Sequence, residues 1–195
     1  MKKGTIRLMV VLLMAVMASA TMKAADWGFY NLKGKVKSVT ETEVDSRYGD
    51  PFSYTIKFNA SGTVLLDKGT KISRDKKGRI IKISVYSDEI EPMWLSTEYK
   101  YNAKGQVISS SGNGLESYGA TTYEYDYDGR LVKEVLSGEV EGTCYTSINT
   151  YTYHSFDSKG NWTKCIQTAK IIYDDAEYEN ETSKITHTRK IVYFK

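Results

Sequence analysis

From Lys35 onward, short runs rich in apolar, aromatic and β-branched residues are bounded by clusters of turn residues, the pattern of strands. Five segments align without gaps on a glycine: Ile56 to Val64, Ile72 to Ile80, Tyr99 to Val107, Tyr123 to Leu131 and His154 to Trp162. Three residues before the glycine stands Asn59, Asp75, Asn102, Asp126 or Asp157. Four before it stands an aromatic, Phe58, Tyr101, Tyr125 or Phe156, with Arg74 as the exception. Two after it comes Val64, Ile80, Val107, Leu131 or Trp162.

The chemistry of this pattern is that of a hairpin. An Asn or Asp side chain accepts a local backbone hydrogen bond, and a glycine three residues on takes the left-handed conformation that closes a type I turn with a bulge. Counting outward predicts the cross-strand pairs Phe58 with Val64, Tyr101 with Val107, Tyr125 with Leu131 and Phe156 with Trp162. Looser return loops are expected at Asp67 to Thr70, Ser87 to Pro92, Ser111 to Ser117, Ser137 to Gly142 and Asp174 to Ser183. The prediction is an all-β antiparallel meander of about twelve short strands, from Lys35 to Val44 through to Lys184 to Phe194. Unequal glycine spacings of 16, 27, 24 and 31 residues argue against a regular solenoid. Accumulated twist favours a curled single sheet or an incomplete barrel.

The N-terminus reads differently. Lys2, Lys3 and Arg7 precede the apolar run Leu8 to Met17 and the small residues Ala18-Ser19-Ala20, the pattern of a secretory signal peptide over residues 1–20. The run is too short for a bilayer span of about twenty residues. No cysteine follows it to carry a lipid, so no stable membrane anchor is expected. Residues 21–34 read as a lead-in and 35–195 as a single repeat-containing domain, periplasmic or extracellular. Three bases and no acid leave with the leader, so the 27 basic and 24 acidic residues become balanced. A neutral chain has no electrostatic reason to seek nucleic acid. All 16 tyrosines lie beyond the leader, where helix formers are scarce.

The string Tyr123-Glu-Tyr-Asp-Tyr-Asp-Gly-Arg-Leu131 resembles the tyrosine-aspartate repeat of bacterial Rhs-type proteins, and Tyr99 to Val107 and Phe156 to Trp162 are similar with substitutions. Leu32 to Val36 and Asp157 to Trp162 also resemble small secreted bacterial proteins carrying such repeats. In the large Rhs-type proteins the repeats wrap into a shell around a toxin. Here they are too few for a closed shell, and encapsulation does not carry over.

Candidate chemistry is thin. The register places Cys165 opposite Tyr153, roughly 30 Å of strand from Cys144, so unpaired thiols are expected. His154 and His187, the only histidines, have no second ligand at a familiar spacing and read as strand side chains. Asp174, Asp175, Glu177, Glu179 and Glu181, like Asp88, Glu89 and Glu91, lack the alternation and central glycine of a calcium loop. No serine sits in a nucleophile-elbow motif, and the sequons at Asn161 and Asn180 are read as accidental. The expectation is therefore no catalytic residue, no metal and no cofactor.

What stands out is the tyrosine stripe. Tyr99, Tyr101, Tyr123 and Tyr125 project on one face of neighbouring hairpins. Exposed, they would bind carbohydrate or a cell-surface protein; buried, they are the core. The expected function is an exported, non-enzymatic binding or scaffolding module. The alternatives are a hydrolase whose site assembles only in three dimensions and an outer-membrane β-barrel, the latter opposed by strands without a continuous apolar face.

Overall fold

At each of the five glycine segments the backbone closes in the same way. The amides of Gly62, Gly78, Gly105, Gly129 and Gly160 donate to the carbonyls of Asn59, Asp75, Asn102, Asp126 and Asp157 at 2.9–3.1 Å. Each glycine has φ between 77° and 87°, the left-handed region that a side chain makes costly. The Asn or Asp Oδ1 then accepts from the amide four residues on, as at Asp75 with Arg79 and Asp157 with Asn161, both 2.9 Å. The computed structural model describes residues 25–87, 93–114, 117–140, 142–175 and 178–195. The leader read over residues 1–20 lies outside them, as do Asp88, Glu89, Glu91 and Glu177.

These turns connect eleven antiparallel strands among the described residues: β1 (Val36–Asp45), β2 (Pro51–Lys57), β3 (Thr70–Arg74), β4 (Ile80–Ser87), β5 (Met93–Tyr101), β6 (Val107–Gly114), β7 (Ser117–Tyr125), β8 (Leu131–Val140), β9 (Thr143–Phe156), β10 (Trp162–Tyr173) and β11 (Glu181–Tyr193). They form one sheet in the order β2-β1-β11-β10-β9-β8-β7-β6-β5-β4-β3. The register is the one the glycines predict: Phe58 pairs with Val64, Tyr101 with Val107, Tyr125 with Leu131 and Phe156 with Trp162. Cys165 lies opposite Tyr153.

Eleven strands rather than about twelve reflects the stretch from Val64 to Asp67, which makes only the single bridge to Phe58. Leu65 and Leu66 turn outward there, and Thr70 N–H closes a turn on Asp67 O. Two expected return loops are also mostly strand. Ser111 pairs with Ala120 and Ser137 with Thr146, because Gly112, Gly119 and Gly138 are strand rather than turn glycines. Space explains them: a Cβ on Gly138 would come within 3.0 Å of the Tyr118 carbonyl and the Tyr145 hydroxyl, and one on Gly112 within 2.9 Å of the Ser96 carbonyl.

The sheet curls without closing, and its inner faces share one core. Val36, Val39, Ile80, Ile83, Tyr99, Val107, Tyr123, Leu131, Trp162 and Cys165 are all buried there. The stretch expected as a lead-in fills the glycine-turn end: Phe29, Tyr30 and Leu32 are buried, and the Phe29 ring meets Tyr99 edge-on at 5.1 Å. Asn161, following the last turn glycine, holds this plug with Lys33 N–H on its Oδ1 and its own amide on Lys33 O, 2.6 and 2.9 Å.

The two sheet edges, β2 and β3, are consecutive in the chain and are joined by residues 58–69. Asp26 ties this seam. Its amide donates to Gly62 O at 2.9 Å, its carboxylate accepts from Val64 N–H at 2.8 Å, and Arg74 of β3 meets it at 2.5 and 2.8 Å. The one non-aromatic residue in the repeat's aromatic slot is thus the partner of a buried acid.

Candidate functional site

All four tyrosines of the expected ligand face point inward. Tyr99 and Tyr123 are 4% and 6% exposed, while Tyr101 and Tyr125 pack half-buried against the same core. Three of the four hydroxyls are occupied as well. Tyr123 shares a hydrogen bond with Ser110 at 2.8 Å, Tyr125 donates to Val107 O at 2.9 Å, and Tyr101 donates to Ile80 O. Arg79 lies 4.5 Å over the Tyr101 ring. The last two bonds follow a rule of the repeat: a bulge after each turn frees the carbonyl two residues past the glycine, and the next hairpin's tyrosine takes it. The surface-stacking role expected of these rings is corrected to the buried alternative, since the rings pack inside the protein and three of the four hydroxyls are bonded there.

Beyond this aromatic layer, toward the return loops, the inner rows turn polar. β1 carries Glu41 and Glu43, β11 His187 and Arg189, β10 Gln167, β9 Asn149 and β8 Glu134. A chain of hydrogen bonds crosses all five strands. Arg189 Nε donates to Glu41 Oε2 at 2.8 Å, and His187 Nδ1 lies 3.2 Å from Glu41 Oε1. His187 Nε2 lies 2.8 Å from Gln167 Oε1, Gln167 Nε2 donates to Asn149 Oδ1 at 2.8 Å, and Asn149 Nδ2 donates to Glu134 Oε1 at 2.9 Å. Because the Gln167 amide nitrogen is spent on Asn149, its carbonyl oxygen is what faces the histidine.

The three acids respond differently to the same burial. For Glu41, desolvation works upward, but the Arg189 guanidinium and the bond from His187 outweigh it and hold the carboxyl down at about 2. Burial pushes Glu43 up to about 7, with His187 opposing. Burial likewise lifts Glu134 to about 7 against hydrogen bonds from Tyr151 and Asn149. Glu43 Oε1 is buried with no hydrogen-bond partner and lies 3.8 Å from His187 Nδ1. Glu41, Glu43 and His187 offer ligand atoms all within 4.8 Å of one another.

Reading the residues in sequence missed this group, because Glu41 and His187 are 146 positions apart and only the β1–β11 pairing joins them. A usable signal was present: Val39, Glu41 and Glu43 share one face of β1, so one row runs from apolar to acidic. His154 is an exposed strand residue, as expected. The cysteines are unpaired, Cys144 exposed and Cys165 buried, with burial pushing the Cys165 thiol up to about 12. Asp174, Asp175 and Glu179 are exposed in the loop before β11, and Glu181 pairs with Arg47.

At the return-loop end stands a second aromatic group. Tyr145 and Tyr173 pair across β9 and β10 with ring centroids 6.5 Å apart, and Tyr178 follows at 5.3 Å. Tyr178 is 49% exposed. Tyr48, with Arg47 5.2 Å over its ring, belongs to the neighbouring β1–β2 connection, which is tied to β11 by Ser46 N–H on Lys184 O.

No protein-family model matches the chain, and no curated protein does. A solved structure similar to it is a porin-like protein from Bacteroides uniformis ATCC 8492, 12% identical over 82% of this chain and 99% of that one, with a TM-score of 0.31.

Proposed function

We propose that the chain is an exported, non-enzymatic binding module that meets a carbohydrate or a cell-surface protein with the aromatic rim at its return-loop end. The observation that carries this reading is the Tyr145, Tyr173 and Tyr178 cluster beside Tyr48, ending in rings that solvent reaches. Such rings give large contact area at little cost in side-chain entropy. The buried stripe of Tyr99 and Tyr123 is then architecture that holds the rim in place. Outward rows such as Thr182, Lys184, Thr186, Thr188 and Lys190 on β11 favour a sheet bathed in water over one facing lipid. The tyrosine-aspartate repeat resemblance fits a secreted module of this kind.

The test is a glycan array and a cell-surface pull-down with the protein and two variants. Tyr145→Ala with Tyr178→Ala should abolish the signal, while Tyr127→Ala, a fully exposed ring at the opposite end, should leave it unchanged. Equal signal from the rim variant, folded to the same melting temperature, overturns the reading.

A further inference from the structure

The group formed by Glu41, Glu43 and His187 is arranged as a ligand set. Ligands around a tetrahedral ion with bonds of about 2.0 Å stand about 3.3 Å apart. His187 Nδ1 is 3.2 Å from Glu41 Oε1 and 3.8 Å from Glu43 Oε1. An ion between these atoms would need only small side-chain adjustments, since the three residues are already held by paired strands: Glu43 lies directly opposite His187, and Glu41 opposite Arg189.

The outer contacts of the group are those a metal site uses. A ligating histidine usually donates its other ring N–H to an oxygen, which fixes the ring and the tautomer. His187 Nε2 does this with Gln167 Oε1 at 2.8 Å, and Gln167 is fixed in turn by Asn149. Glu41 is oriented through its second oxygen by Arg189 Nε at 2.8 Å, leaving Oε1 for the ion. Glu43 supplies the independent sign. The residue is 9% exposed, and its Oε1, buried and aimed at His187 Nδ1, has no hydrogen-bond partner. A buried carboxylate oxygen without a partner costs free energy, and a bound cation would supply that partner.

We propose that Glu41 Oε1, Glu43 Oε1 and His187 Nδ1 bind one divalent first-row transition ion inside the curled sheet. Two carboxylate oxygens and one imidazole nitrogen suit an ion of borderline hardness, zinc or manganese rather than a thiolate-seeking copper(I). The two carboxylates balance the two charges of the ion, and the Arg189 guanidinium beside Glu41 leaves the group with one net positive charge. Ion and rim ligand are separate: the first needs buried donors, the second exposed rings, and either can fail without the other.

Protein produced from the full chain and stripped with chelator is titrated with zinc chloride by calorimetry, with cobalt(II) as a spectroscopic probe. The expected result is one zinc per chain and a higher melting temperature in zinc. Glu43→Gln should weaken binding at least tenfold and remove the melting shift. It leaves the Arg189, Glu41, His187 and Gln167 bonds untouched, so its metal-free melting temperature should not fall. Cys144→Ser and His154→Ala should bind as the parent does. Cobalt should give d–d absorption without a sulfur-to-metal charge-transfer band, a readout independent of whether any variant folds. Absence of stoichiometric zinc, unchanged affinity in Glu43→Gln, or a thiolate band with cobalt each overturns the proposal.

Discussion

Replacing Arg74 by Tyr restores the repeat's aromatic and should nevertheless destabilise the protein. The Asp26 side chain is 2% exposed and accepts from Arg74 at 2.5 and 2.8 Å and from Val64 N–H. Without the guanidinium, a buried carboxylate keeps one backbone donor. Breaking a buried ion pair costs about 3–5 kcal/mol. The Arg74 side chain is 30% exposed, so solvent screens the pair and the lower figure, about 3 kcal/mol, applies. In a domain of this size that lowers the melting temperature by roughly 6–12 °C. Asp26→Asn alone should cost about 2 kcal/mol by weakening the same contacts. The double variant, Asp26→Asn with Arg74→Tyr, strands no charge and should recover about 2 kcal/mol relative to the sum of the singles. Urea unfolding of the four proteins at one pH and ionic strength gives the cycle. Hydrogen exchange at Val64 and Leu65 should rise in the single variants, since these amides lie along the seam. Additivity within about 0.5 kcal/mol, or a neutral Arg74→Tyr, would refute the claim that the arginine is kept for Asp26.

Two other outcomes follow from the same geometry. Gly129→Val forces a branched side chain to φ 78° and should cost about 2 kcal/mol, more than Asp128→Ala, which loses only an exposed contact to Arg130; equal melting temperatures would contradict this. Glu134→Gln should change the pH profile of stability. Between the ordinary 4.5 and about 7 the folded Glu134 keeps a proton that the unfolded chain has released, so its contribution falls as pH rises through that window and is flat above it. The Gln variant should match the parent at pH 4 and exceed it by about 3 kcal/mol at pH 8 in urea titrations; parallel profiles would show that Glu134 is not the group responsible.

The hairpins were legible in the sequence because a glycine turn fixes register locally: once Gly105 takes positive φ, Tyr101 can face only Val107. The fate of Cys165 was legible for the same reason. Whether the tyrosines were surface or core was not, since alternation says which residues share a face and not which face turns inward. The curl decides that, and the core it encloses is completed by Phe29 and Tyr30, which sit outside the repeat. The polar group was hidden for another reason. Its members meet through β1 and β11, a pairing that no local turn specifies.

That pairing also gives the molecule an order of assembly. Neighbours from β3 to β11 are consecutive in the chain, so each strand can pair with the one before it as it leaves the ribosome. β1 and β2 cannot follow that order: they are made first, yet their hairpin can join the sheet only through the strand made last. The pairing joins Val36 to Tyr193 across the whole length of the assembled sheet. Until it closes, Glu41 and Glu43 are carboxylates on a hairpin open to water, and His187 and Arg189 have not met them. A nascent chain that stops before Glu181 would carry every tyrosine hairpin together with Glu41 and Glu43, but not the His187 and Arg189 that meet them, so the interior chemistry of this protein is the last thing its synthesis completes.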